Sequence, residues 1–187
     1  MFIAQGVYAI SPGTSEAGTA AVAMPDRFAA HATRKILENG GNAVDAAVTA
    51  VFVLAVTLPE AGNIGGGGFM TSYMDGQSVF LDFRERAPQG AQKDMYLDEG
   101  GNFIQRRSIV GGRASGVPGT VRGMLAAHER YGSMPWASLL QPAIDLARDG
   151  FIVPPELAEV AAEQVIEFAG ETNFDAYFSE MRTGKVF

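Results

Sequence analysis

Cysteine is absent from the 187 residues. That excludes disulfides, thiolate metal sites and cysteine nucleophiles. Histidine is scarce: His31 and His128 are the only two, too few and too scattered for a zinc site. Positive charge is outweighed. The formal net charge is -7, with no Lys/Arg cluster, which argues against partners that need a basic surface, nucleic acid and anionic membrane among them. Charged residues of both signs make up only 19% of the chain, a composition that does not favour disorder. Long apolar runs are missing as well. The longest, Ala46 to Leu58, falls short of the roughly 20 residues needed to span a bilayer. Met1 to Gly18 has no basic n-region and does not read as a signal peptide. These absences predict a soluble, ordered protein with no metal, no cofactor, no nucleic-acid partner and no membrane span.

What is present suffices for a core, at 47% hydrophobic residues. Residues 1–18 read as a flexible lead-in, rich in Gly, Ser and Pro towards its end. Thr19 to Met24 reads as a short buried strand. Pro25 is placed to open a helix, with Phe28, Ala29, Ala32, Ile36 and Leu37 on one face and Gly40-Gly41 at its end. Asn42 and Asp45 have the spacing of a capping box. The helix they start is apolar nearly all round from Ala46 to Leu58, the pattern of a helix buried on all sides. Phe69 to Tyr73 and Ser78 to Phe83 read as strands joined by Asp75-Gly76, a hairpin signal. Asp98 to Asn102 is a further turn. Helices are predicted over roughly Thr120 to Tyr131, Pro135 to Arg148 and Pro155 to Phe168. Helices before and after adjacent antiparallel strands predict an α+β layered fold rather than a βαβ nucleotide fold.

Three features bear on function. Gly62-Asn63-Ile64-Gly65-Gly66-Gly67-Gly68-Phe69 lets backbone approach something closely. Either it lines a pocket or it relieves a tight crossover between layers. It is no phosphate loop, because no Gly-Lys-Ser/Thr follows, and Met70 breaks the dinucleotide spacing. Arg84, in Leu81-Asp82-Phe83-Arg84-Glu85-Arg86-Ala87-Pro88, has the planar fork that grips a carboxylate at two points. The alternative is a surface ion pair with Asp82 or Glu85. His31 and His128 sit among charged neighbours and read as solvated helix positions. Ser115 is not in a G-x-S-x-G elbow and reads as a loop residue. No residue is placed with the partners a nucleophile needs, so no catalytic residue is assigned.

Asn39-Gly40-Gly41-Asn42-Ala43-Val44-Asp45-Ala46-Ala47, Gly65-Gly66-Gly67-Gly68-Phe69 and Asp82-Phe83-Arg84-Glu85 with Ala87-Pro88 resemble the γ-glutamyltranspeptidase family. So do Gly116-Val117-Pro118-Gly119-Thr120-Val121 with Gly123, Tyr131-Gly132, and Gln141-Pro142-Ala143 with Ala147-Arg148-Asp149-Gly150-Phe151. The motifs are co-linear from about Gly18 to at least Val153.

The resemblance implies an N-terminal-nucleophile hydrolase fold, an αββα sandwich of which this chain is part. It implies a self-cleaving precursor whose small subunit begins with a nucleophilic threonine. That threonine attacks γ-glutamyl amides such as glutathione, its own amine serving as base. By resemblance, Arg84 pairs with the α-carboxylate of the γ-glutamyl group, while the two glycine loops are mainly structural. The threonines here do not match the nucleophile. Residues 19–187 are therefore expected to be an incomplete N-terminal portion of the large subunit, partnered by the missing C-terminal part. A non-catalytic binding or scaffold module, a β-lactam acylase and a poly-γ-glutamate-processing enzyme are the other readings. In bacteria the resemblance implies a periplasmic or secreted address.

Overall fold

The computed structural model describes residues 20–187. The lead-in at residues 1–18 lies outside the described residues, as does Thr19. The first helix, α1, spans Arg27–Glu38. The Asp26 side chain caps it, Oδ1 accepting from the Ala29 N–H at 2.6 Å. The predicted opener, Pro25, sits one residue outside, because a cap needs a side-chain acceptor that proline lacks. The strand expected over Thr19 to Met24 is not formed at Ala20–Met24. A strand needs a ladder partner, and no described residue supplies one there.

Helix α2 spans Ala43–Thr57, and the capping box at its start is complete. Asn42 Oδ1 accepts from the Val44 and Asp45 N–H groups, while the Asp45 carboxylate accepts from the Asn42 N–H. No residue from Val44 to Leu58 is exposed, as an all-apolar helix requires. Strands β1 (Phe69–Met74) and β2 (Gln77–Asp82) pair antiparallel, Phe69 opposite Asp82 and Met74 opposite Gln77. Asp75 at φ 51° and Gly76 at φ 78° make the turn between them, the left-handed pair that matches strand twist. A 3-10 turn at Gln105–Ser108 follows. Then come α3 (Thr120–Tyr131), α4 (Trp136–Asp149), α5 (Pro155–Glu167) and the short α6 (Phe174–Phe178). No helix among the described residues is long and apolar enough to cross a membrane.

The main core joins α1 to α4. Ala29, Val48, Val53, Met124 and Leu139 are at its centre, with Met70, Met74, Leu81 and Phe83 of the hairpin region packed against it. The hairpin alternates strictly enough that one face meets this core. Its other face leaves Phe69, Tyr73 and Phe80 more than half exposed. A second, smaller core forms under α5 from Phe151, Val153, Leu157, Ala161 and Met181. The backbone at Phe151 and Val153 is tied to Lys185 and Phe187 by hydrogen bonds of 2.9–3.2 Å. The architecture is α+β.

Buried polar groups fix how the helices sit. Asp45 is fully buried and also accepts from the Ser133 N–H at 3.0 Å, the Ser133 hydroxyl at 2.6 Å and the Met134 N–H at 3.3 Å. Asn42 Nδ2 donates to the Tyr131 carbonyl at 2.6 Å. The cap of α2 thus also holds the turn between α3 and α4. Thr49, buried mid-helix, donates to the Leu139 carbonyl of α4 at 2.9 Å. His128 is not on a solvated face. It is half-buried, with Nε2 2.7 Å from the Met134 carbonyl oxygen and its ring edge-on to Trp136. The charged residues beside it in sequence, Glu129 and Arg130, point away on the exposed side of α3. His31 is exposed, as expected.

Candidate functional site

The segment after β2 is clamped by both glycine loops. The Phe83 N–H donates to the Gly68 carbonyl at 3.0 Å, and Arg86 and Val117 exchange two backbone hydrogen bonds of 3.1 and 2.8 Å. The N–H groups of Gly119 and Thr120 both donate to the Gly66 carbonyl, at 2.8 and 3.1 Å. Three stretches, Gly66–Gly68, Phe83–Arg86 and Val117–Thr120, are thereby stitched into one unit beside the start of α3.

Glycine is required at the stitches. A Cβ on Gly67 would stand 2.6 Å from the Phe83 carbonyl oxygen, 2.7 Å from the Glu85 nitrogen and 2.8 Å from the Arg84 Cα. A Cβ on Gly119 would run into the Phe83 carbonyl, and one on Gly123 into the Phe83 ring. Of the two roles open to the first glycine loop, close crossover is the one the contacts describe. It buttresses the arginine segment from behind and does not itself line the cleft in front.

Arg84 is presented forwards from this support. Its N–H donates to Asp82 Oδ1 at 2.9 Å, which sets the backbone as it leaves the strand. Its guanidinium carbon stands 5.6 Å from the centre of the Phe69 ring, within the range of a cation–π contact. Nε donates to Glu85 Oε2 at 3.0 Å. That is the surface ion pair the sequence allowed, and the side chain is 61% exposed. The two terminal nitrogens, Nη1 and Nη2, make no hydrogen bond among the described residues. The arginine is steadied through Nε and through its face, and its fork stays available for a planar two-oxygen anion. The Glu85 carboxyl is held below the usual carboxylate range, first by its own backbone N–H and then by Arg84.

In front of this segment lies an open cleft of about 450 Å³, within the usual range for small-molecule sites. Leu81, Arg84, Arg86, Val117, Arg122 and Ala126 contribute to its walls. Nothing among the described residues supplies a nucleophile to it. Two part-buried hydroxyl–carboxylate pairs, Ser133 with Asp45 and Thr57 with Asp26, lie elsewhere and hold turns and helix starts. Ser115 is an exposed loop residue. Among the described residues no group of three His, Cys, Asp or Glu side chains could hold a metal. The support given by Phe83, wedged between Gly68 and Gly123, was not anticipated. The spacing Gly119-x-x-x-Gly123, two positions without side chains one helical turn apart, is the signal the sequence offers.

Residues 29–187 match the model of the γ-glutamyltranspeptidase family. The chain belongs to that family. The glutathione hydrolase proenzyme of Pseudomonas aeruginosa is 54% identical over 167 residues, which are 89% of this chain and 30% of that protein. The solved structure of γ-glutamyltranspeptidase from Pseudomonas nitroreducens complexed with L-DON superposes with a TM-score of 0.88 at 53% identity, covering 90% of this chain and 50% of that one. The acylase ACY 1 proenzyme of Pseudomonas sp. is 37% identical over 172 residues, 88% of this chain and 30% of that protein. The chain thus spans under a third of the length of these curated relatives. The Arg84 segment and both glycine loops that hold it lie within the residues matched to the γ-glutamyltranspeptidase family.

Proposed function

We propose that this chain forms the substrate-gripping front of a γ-glutamyl hydrolase/transferase of the glutathione hydrolase type. Arg84 takes the α-carboxylate of the γ-glutamyl group in its open Nη1/Nη2 fork. That fork, steadied by Glu85 and Phe69 yet otherwise free, is the observation that carries the reading. The reaction needs a threonine nucleophile, and no threonine among the described residues lines the cleft. The nucleophile's hydroxyl oxygen attacks the γ-carbonyl carbon, and its own amine accepts the proton and passes it to the departing amine. Water or the amine of an acceptor amino acid or peptide then attacks the resulting ester, taking the γ-glutamyl group and returning the threonine hydroxyl.

The small-subunit part would complete an αββα sandwich. The hairpin supports this. Helices cover one of its faces, while the opposite face offers Phe69, Tyr73 and Phe80 to a further layer. Similarity to an acylase proenzyme keeps an acylase substrate as the second reading, and nothing in the described cleft separates it from a poly-γ-glutamate substrate.

The test is p-nitroaniline release from γ-glutamyl-p-nitroanilide. It is run on the chain alone and on the chain joined to the remaining large- and small-subunit sequence. Activity only in the joined protein, lost on Arg84→Ala, is expected. Activity of the chain alone would place a nucleophile within these residues and refute the proposal. A folded, processed joined protein that is silent towards the anilide would leave the scaffold or acylase reading in its place.

A further inference from the structure

Arg84 is not the only arginine at the cleft. Arg86 and Arg122 also line it, the first from the loop beyond Glu85 and the second from the first turn of α3. Both are exposed. Among the described residues neither side chain makes an ion pair or a hydrogen bond. Arg106 and Arg148 behave otherwise: each is tied to two carboxylates. Three arginines therefore line the cleft beside two acidic residues, Asp82 and Glu85, in a chain whose net charge is -7. Local positive charge against an acidic background, with two guanidinium groups unpaired, is the arrangement expected of a surface that receives an anion.

We infer that Arg86 and Arg122 read a second carboxylate, the free C-terminal one on the leaving side of a γ-glutamyl peptide. This rests on Arg84 taking the α-carboxylate. A γ-glutamyl tripeptide carries its two carboxylates at opposite ends, so an arginine that grips one cannot also grip the other, and the second needs cations of its own. A γ-glutamyl arylamide or alkylamide has no second carboxylate and leaves both arginines unused. The site thus prefers γ-glutamyl peptides with a free carboxyl end over γ-glutamyl amides. Because the pair is solvent-exposed, the preference is modest and weakens as salt is added.

The experiment compares KM for glutathione with KM for γ-glutamyl-p-nitroanilide in the chain joined to its remaining large- and small-subunit sequence. The variants are Arg86→Gln/Arg122→Gln and the conservative Arg86→Lys/Arg122→Lys. Both positions are exposed, and a circular dichroism melt confirms that each variant is folded. The expected result is a roughly five- to tenfold rise in the glutathione-to-anilide KM ratio for the glutamine variant. The lysine variant recovers part of it, and the wild-type preference shrinks between low and high salt. An unchanged ratio in a protein that turns over both substrates overturns this inference and leaves the Arg84 assignment standing. A folded, processed wild-type protein that turns over neither substrate overturns both.

Discussion

The sharpest test of the clamp around Arg84 is a single methyl group. Gly67→Ala would put its Cβ 2.6–2.8 Å from three backbone atoms of Phe83, Arg84 and Glu85. None of these is the end of a flexible side chain, so the backbone itself must move. Overpacking of this kind costs about 1–3 kcal/mol. Gly90 is the control, because a Cβ there meets nothing within 4 Å. Alanine at such an open position stabilises by about 0.4–1 kcal/mol through the unfolded chain, where its φ and ψ are compatible. The two substitutions should therefore differ by roughly 1.5–4 kcal/mol, taking the two ranges together. A 150–250-residue domain would separate the two melting temperatures by about 2–4 °C per kcal/mol, and the longer joined protein by less, so the order of the two melts is the readout. The assay is a thermal melt by circular dichroism on the chain joined to its remaining subunit sequence, with KM for γ-glutamyl-p-nitroanilide measured alongside. Gly67→Ala should melt earlier and, having shifted the Arg84 backbone, raise KM. If it melts with Gly90→Ala and keeps the wild-type KM, the loop is not a clamp and the contact argument fails.

Arg84→Lys should lose most of the activity of Arg84→Ala's parent, since an ammonium cannot offer a two-point fork; equal KM in the lysine variant and the wild type would refute two-point binding. Asp45→Asn should destabilise by about 3 kcal/mol in a urea titration, because the amide nitrogen faces donors where a charged acceptor stood. Burial pushes the Asp45 carboxyl up, but hydrogen bonds from Ser133, Asn42 and Met134 outweigh it and hold the carboxyl below its ordinary value. Its contribution is therefore fully present above the unfolded carboxylate pKa and is lost as pH falls through the lower folded value; the wild type should lose stability on acidification by more than Asp45→Asn does. Arg106 pairs with Glu167 and Glu171 across the gap from the 3-10 turn to the end of α5. Arg106→Ala should make that turn cleave faster in limited proteolysis, and unchanged cleavage would show the clamp to be idle. Expressed alone, the chain should aggregate through the open hairpin face, and a monodisperse, cooperatively melting monomer would contradict this.

The parts of the fold that could be read in advance are those set by local chemistry. Asn42 and Asp45 fix a helix start within three residues, and Asp75-Gly76 fixes a hairpin register, because each motif satisfies its own hydrogen bonds. The helices over Thr120–Tyr131 and Pro155–Glu167 were likewise visible from spacing and punctuation. Ala20–Met24 was misjudged because a strand is a relation between segments. Apolar residues propose it, but only a neighbour makes it. His128 was misjudged for a related reason. Its sequence neighbours are charged, yet on a helix the residues that matter are a turn away or on another element, here Met134 and Trp136.

Arg84 marks where local reading stops. Spacing alone allows a surface ion pair or a carboxylate grip; the structure shows the ion pair, made in a way that leaves room for the proposed grip. Glu85 takes Nε and leaves Nη1 and Nη2 open, so the ion pair aims the fork it was thought to occupy. An exposed pair of this kind contributes little stability, about 0–1 kcal/mol. Under the proposed carboxylate grip its value lies in orientation, fixed before substrate arrives. The same logic explains why five glycines, Gly67, Gly68, Gly116, Gly119 and Gly123, crowd Phe83 and Glu85. An arginine that is 61% exposed has few contacts of its own to hold it, so its position must be inherited from the backbone beneath. No periodicity in the sequence records that requirement. Only the approach of Gly67 and Gly119 to the same carbonyl does, and that is a fact about two loops more than fifty residues apart in the chain.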